Sequence, residues 1–267
     1  MVQMEPWQVI LALIQGLVEW LPISSEGQVV LFAYNFGNVP QEYLVTLAVW
    51  LHLGTALAVV ARYPRDILQV LSLQDRRLFR LLLIATIGTA ITAIPLYFTL
   101  KVVVTAFQGE LLNVAVGVLL LVTALVLYIP TRQGEPVLDN EPGEPDQRNA
   151  FTSGLVQGFS VLPGLSRSGL TISALLLQKV DKEKALRFSF LMSVPAVLGI
   201  LGVELLTGGL SVPVIPMVDL VLMELIVFVT GLLSMEALLR VAKSISFWKL
   251  CVLIGSIAIV FGLPAFF

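Results

Sequence analysis

Six apolar runs of about 20 residues, at 44 to 61, 81 to 100, 111 to 130, 188 to 207, 217 to 239 and 250 to 266, leave this chain few ways to fold. Each is long enough to cross the hydrocarbon core of a bilayer as a helix, and the links between them are short and polar. Hydrophobic residues make up 57% of the chain and charged residues 13%, with a mean hydropathy of +0.94. A soluble domain with so little charge cannot cover its surface. The expected fold class is an all-α integral membrane protein, because the alternating ~10-residue segments of a membrane β-barrel are missing. No basic stripe suggests a nucleic-acid partner. The lone cysteine, Cys251, sits inside an apolar run and predicts neither a disulfide framework nor thiol chemistry.

Two stretches break the pattern. Residues 5 to 36 carry an apolar helical pattern interrupted by Pro22, Ser24, Ser25, Glu26 and Gly27, and residues 150 to 178 are interrupted by Pro163, Gly164 and Ser166 to Gly169. Polar backbone at membrane depth is tolerated only where it is buried in protein or lines a cavity, so both stretches are read as re-entrant helical hairpins beside the six transmembrane helices. Lys and Arg set the orientation. Arg62, Arg65, Arg76, Arg77 and Arg80, then Lys179, Lys182, Lys184 and Arg187, then Arg240, Lys243 and Lys249 mark three cytoplasmic links, whereas 37 to 43 and 208 to 216 carry no Lys or Arg and 101 to 110 has only Lys101. The N-terminus is therefore expected outside, and the second hairpin is expected to enter from the cytoplasm.

The two broken stretches are related. At an offset of 142 residues Leu13, Gln15, Gly16, Ser24 and Gly27 fall on Leu155, Gln157, Gly158, Ser166 and Gly169. One hairpin plus three spans in residues 1 to 130 and the same again in 150 to 267 make an inverted-topology repeat, since an odd number of spans turns the second half over. Such repeats place a site near the bilayer midplane. The Pro- and acid-rich link 131 to 149 between them is expected to be mobile.

In the second hairpin, QGFSVLPGLSRSGLTIS at 157 to 173 sets Arg167 between two serines at an expected helix start. Unpaired N–H groups, Ser166, Ser168, Thr171 and a planar guanidinium all favour an anion such as phosphate, whereas the plainer reading is a capped helix with a snorkelling arginine. In the first hairpin Gln15 and Glu19 share one helix face. Placed opposite Arg167, Glu19 either neutralises it or holds a hard cation, Mg²⁺ or Ca²⁺, that shares a phosphate ligand. His52 is the only histidine; it either packs within its span or serves as an acid or base near neutrality. Glu204, Glu224 and Glu236 are further acids in apolar runs without such neighbours.

Taken together, Gln15-x-x-x-Glu19 running into LPISSEG and PGLSRSG at 163 to 169 followed by Thr171 resemble the two motifs of the undecaprenyl-diphosphate phosphatase family, the bacitracin-resistance type of membrane phosphatase. The resemblance extends in order and topology over essentially the whole chain. It implies hydrolysis of a polyprenyl diphosphate to the monophosphate, with a divalent cation (Mg²⁺ or Ca²⁺), at a site opening to the outer face of the plasma or inner membrane. The implied partners are the lipid and the bilayer, with a second copy of the chain as a candidate homodimer partner. Carried onto this sequence, Glu19 is a metal ligand and catalytic residue, and Ser25 is the nucleophile unless water attacks directly. Gln15, Ser24, Gln28, Ser166, Arg167, Ser168, Gly169 and Thr171 are placed at the substrate. One position departs from the pattern: Gln28 stands where the bacterial motif Ser-Ser-x-Gly-His has its histidine, and an amide is no comparable proton acceptor. The expectation is that His52 supplies the base from the neighbouring span, which requires its imidazole within roughly 7 Å of the Ser25 hydroxyl or a water path between them. A polyprenyl-phosphate flippase and a membrane protein with vestigial motifs are the competing readings.

Overall fold

The computed structural model describes residues 4–106, 110–132, 143–207, 212, 214–241 and 247–266; residues 133 to 142 of the expected mobile link, Lys243 and the Glu236 side chain lie outside them. Among the described residues the chain forms α1 (Pro6–Val18), α2 (Ser25–Phe36), α3 (Gln41–Arg62), α4 (Pro64–Leu71), α5 (Arg76–Ala106), α6 (Glu110–Arg132), α7 (Gln147–Gly158), α8 (Arg167–Leu177), α9 (Lys182–Leu206), α10 (Met217–Val241) and α11 (Phe247–Gly262). The only β-type pairing among them is an isolated bridge between Gly143 and Val180.

Five of these helices, α3, α5, α6, α9 and α10, are long and apolar enough to cross a membrane. At about 1.5 Å per residue, α3 extends roughly 33 Å, close to the ~30 Å of a hydrocarbon core. The sixth expected span, 250 to 266, is the 16-residue α11, roughly 24 Å long by the same measure, followed by a 3-10 turn at Leu263–Phe266. The interrupted stretches are pairs of short helices, α1 with α2 and α7 with α8, each broken at its polar turn. Two local features differ from the sequence reading. The basic link after α3 contains the helix α4, started by Pro64, whose Ile67 and Val70 pack against the protein. Residues 147 to 149, assigned to the link, already belong to α7, which Asp146 caps by accepting the Asn149 N–H at 2.7 Å.

Small residues decide how closely the helices approach. A Cβ on Gly16 would meet Thr230 Oγ1 at 1.9 Å, and one on Gly158 would meet Thr92 Oγ1 at 1.8 Å, so α1 lies against α10 and α7 against α5 without room for a side chain. α6 and α11 meet likewise, Gly117 on Gly255. α3 packs on α9 and α10.

A buried carboxylate ties three spans together. Glu204 of α9, fully buried, accepts hydrogen bonds from Tyr97 and from Lys101 Nζ (2.8 Å) of α5 and from Thr46 of α3 at 3.2 Å. Replacing Glu204 by Ala removes the acceptor for all three, and stability is expected to fall by about 3 kcal/mol. Glu204→Gln, which keeps an acceptor, is expected to lose less; thermal unfolding of the detergent-purified variants measures both.

Candidate active site

The two interrupted turns are built the same way and lock onto each other. Ser24 Oγ accepts the Gly27 N–H at 3.2 Å to cap α2, and Ser166 Oγ accepts the Gly169 N–H at 3.1 Å to cap α8. Ser24 Oγ also accepts the Gly164 N–H at 3.0 Å, so one cap holds the other turn. From the second turn, the Ser168 hydroxyl donates to the Leu21 carbonyl at 3.2 Å. Gly164 has φ +111°, and a Cβ there would meet the Val116 carbonyl oxygen at 2.6 Å. Only glycine fits that turn without strain. Thr123 of α6 pins the same turn, donating to the Gly164 carbonyl at 2.8 Å and accepting the Ser166 N–H at 3.2 Å.

These locks set Arg167, the first residue of α8, against Glu19, which ends α1 and is 4% exposed. The guanidinium donates to Glu19 Oε1. The other oxygen, Oε2, accepts from the Ser25 hydroxyl at 2.5 Å and from the Gln15 amide at 2.8 Å. His52 Nε2 lies 3.4 Å from that same oxygen. The imidazole is oriented by Nδ1, 2.6 Å from the Ala48 carbonyl, which can only accept, so Nδ1 carries the proton and Nε2 faces the carboxylate. Ser25 and His52 therefore flank one oxygen and stand within about 6 Å of each other, inside the roughly 7 Å that a base at His52 requires. Glu19 lies between them. Arg167 is held further by the Ser189 carbonyl at 3.5 Å and lies 5.8 Å from the Trp20 ring centroid.

The cluster forms the polar end of a cavity. Glu19, Ser25, His52, Ser166 and Arg167 line that end, and Val45, Val49, Ala93, Val197, Ile200 and Val203 give the rest an apolar wall between α3, α5 and α9. The other sequence-derived residues divide in two. Ser24 reaches the cavity wall, whereas Gln15, Gln28, Ser168, Gly169 and Thr171 stand behind it. Gln28 folds back on its own turn, donating to the Ile23 carbonyl at 3.1 Å. Thr171 is fully buried and bonds the Ser189 hydroxyl at 2.6 Å, joining α8 to α9. Gly169 lies against Pro22, where a Cβ would come within 3.2 Å. Sequence reasoning gives no chemical role to Glu26, read as a mouth or capping residue, or to Gln157; Glu26 lines the cavity beside Ser25, and Gln157 lines it with Thr89, Ser160 and Ser193. The signal for Gln157 was present: it is the repeat partner of Gln15.

Residues 8–260 match the family model described as bacitracin resistance protein BacA. Among curated relatives, the chain is 38% identical to an undecaprenyl-diphosphatase of Methanopyrus kandleri over 98% of each chain. It is 37% identical to one of Haloarcula marismortui over 96% of each. It is 33% identical to one of Christiangramia forsetii, over 95% of this chain and 97% of that one.

The interlocked turns make a direct prediction. Gly164→Ala combines a strained φ with a contact against backbone, and it is expected to cost more than about 1 kcal/mol of stability in thermal unfolding. Gly199→Ala, where a Cβ meets nothing within 4 Å, is the matched control and should be neutral or nearly so.

Proposed function

The chain belongs to the bacitracin resistance protein BacA family, and from that membership we propose that it hydrolyses undecaprenyl diphosphate to undecaprenyl phosphate and inorganic phosphate inside the plasma or inner membrane. The observation that carries the reading is the convergence of Ser25, Arg167 and His52 on the Glu19 carboxylate at the polar end of an otherwise apolar cavity. A diphosphate on a prenyl tail has the same division of polarity. The tail lies between α3, α5 and α9, and the terminal phosphate meets Arg167, the Ser166 hydroxyl and the first N–H groups of α8, which have no acceptor within their own helix.

In this mechanism the phosphate competes with Glu19 for the Arg167 guanidinium, whose planar fork suits phosphate oxygens. Glu19 takes the Ser25 proton through the existing 2.5 Å hydrogen bond as Ser25 Oγ attacks the terminal phosphorus. The bond from phosphorus to the bridging oxygen breaks and the prenyl monophosphate leaves; water then attacks the phosphoserine, Ser25 Oγ departs with the proton held by Glu19, and the water oxygen and its remaining protons leave with inorganic phosphate. His52 faces the same Glu19 oxygen through Nε2, which can accept the proton that Glu19 takes from Ser25. Arg167 and the helix start carry the charge that grows on the transferring group.

The oxygens present suit a hard divalent cation, Mg²⁺ or Ca²⁺. Glu19 and Glu26 offer carboxylates, and the Gln15 amide oxygen is buried without a partner. No group of three or more metal-ligating side chains occurs among the described residues, so these oxygens would hold the ion together with phosphate oxygens and water. When bound, the cation offsets negative charge on the diphosphate.

Architecture supports the rest of the reading. We read α1–α2 and α7–α8 as re-entrant hairpins, α11 as the sixth span, and residues 1 to 130 and 150 to 267 as inverted repeats. The packing is reciprocal in that sense: α1 against α10 answers α7 against α5. Arg76, Arg77 and Arg80 begin α5 and Lys182, Lys184 and Arg187 begin α9, whereas Tyr97 and Val203, near the far ends of these helices, line the cavity. This favours an opening away from the basic, cytoplasmic side.

Purified protein is expected to release inorganic phosphate from farnesyl diphosphate and to lose that activity in chelator. Lipid translocation in vesicles without phosphate release would replace the reading by a transporter. Arg167→Lys keeps the charge but not the fork, and turnover should fall by on the order of 100-fold or more.

A further inference from the structure

Away from that cavity, a second hollow opens where α5 begins, lined by Arg76, Arg77, Arg80, Leu81, Asp146 and Gln147. Arg77 is committed: its guanidinium bonds Glu144, which Lys184 also meets at 3.3 Å, and the Pro145 carbonyl at 3.3 Å. Asp146 is occupied by its cap on Asn149. Arg76 and Arg80 have no hydrogen bond or ion pair among the described residues, and both are exposed.

What lies along the helix from these two arginines identifies their guest. Arg76, Arg80, Leu83, Ile87, Ile91 and Phe98 recur at three-, four- and seven-residue intervals, so they share one face of α5. The apolar members of that row are all exposed, from Phe98 at 45% to Ile91 at 54%. The row is an acyl-chain surface headed by two cations. Beside it, α4 exposes Leu68 (65%) and Leu71 (75%) on the side away from the protein, as a helix lying in the headgroup boundary does.

We propose that Arg76 and Arg80 bind the phosphate of an anionic phospholipid whose acyl chain runs down the Leu83–Ile87–Ile91 face of α5, with α4 embedded in the same leaflet. A guanidinium pair suits the phosphate, and the apolar row suits the chain. An acidic peptide would satisfy the arginines and leave the row uncovered. The site is separate from the Glu19 cluster and does not rest on the hydrolase reading.

The test uses the full chain in detergent, offered phosphatidylglycerol or phosphatidylcholine and read by native mass spectrometry and thermal unfolding. Phosphatidylglycerol should be retained and raise the unfolding midpoint, and phosphatidylcholine should do neither. Arg76→Gln/Arg80→Gln should weaken that retention by on the order of tenfold, at about 1 kcal/mol per basic residue, with the unliganded midpoint and phosphate release from farnesyl diphosphate unchanged. Arg76→Lys/Arg80→Lys should retain part of the binding. Equal retention of the two lipids would overturn the proposal, as would a Gln variant that holds phosphatidylglycerol like the parent. Displacement of the lipid by millimolar inorganic phosphate would reassign the arginines to a free anion.

Discussion

One buried carboxylate organises this molecule. An acid at membrane depth is costly unless its oxygens are fully engaged, and Glu19 is engaged by Gln15, Ser25, Arg167 and His52 from four separate segments. Each segment reaches it for a physical reason. α1 stops at Glu19, α2 starts at Ser25 under the Ser24 cap, α8 starts at Arg167 under the Ser166 cap, and α3 turns His52 inward with its Nδ1 tied to Ala48. Together these four partners are what make the buried acid tolerable.

Such convergence needs helices that end inside the protein, and ends need acceptors and donors of their own. The two turns supply these to each other, through Ser24 to Gly164 and Ser168 to Leu21, so neither is stable in this form without its partner. Glycines at 16 and 158 then let each broken pair lie directly on a full span. The Glu204 cluster fixes α3, α5 and α9 to one another, and those three helices form the apolar wall of the cavity at Glu19.

Much of this was legible in the residues. Apolar runs of spanning length and their two polar interruptions announced the helices, and the 142-residue offset paired the interruptions. The opposition of Glu19 and Arg167 followed from a lone acid and a lone base in apolar surroundings, and the ion pair exists. Less legible was the depth of each motif residue. Ser168, Gly169 and Thr171 look like phosphate ligands in sequence, yet a helix start turns alternate side chains away from its guest, and these three hold turns and helices together instead. Glu26 was given no chemical role because an acid in a first helical turn has a ready capping explanation. α4 was hidden because it is only 8 residues long and sits within a link read from its arginines. The length of α11 depends on where its last turn tightens, which hydropathy does not report.

The shared oxygen of Glu19 is the point on which the account stands or falls, and a double-mutant cycle addresses it. Phosphate release from farnesyl diphosphate would be measured for Glu19→Gln, His52→Gln and the double variant, with thermal unfolding as the control for folding. If His52 works through Glu19, Glu19→Gln should lose at least about 1,000-fold in turnover, as expected when a catalytic base is removed, and adding His52→Gln should make it no worse. Near-normal turnover in Glu19→Gln, or losses that multiply fully in the double variant, would contradict it.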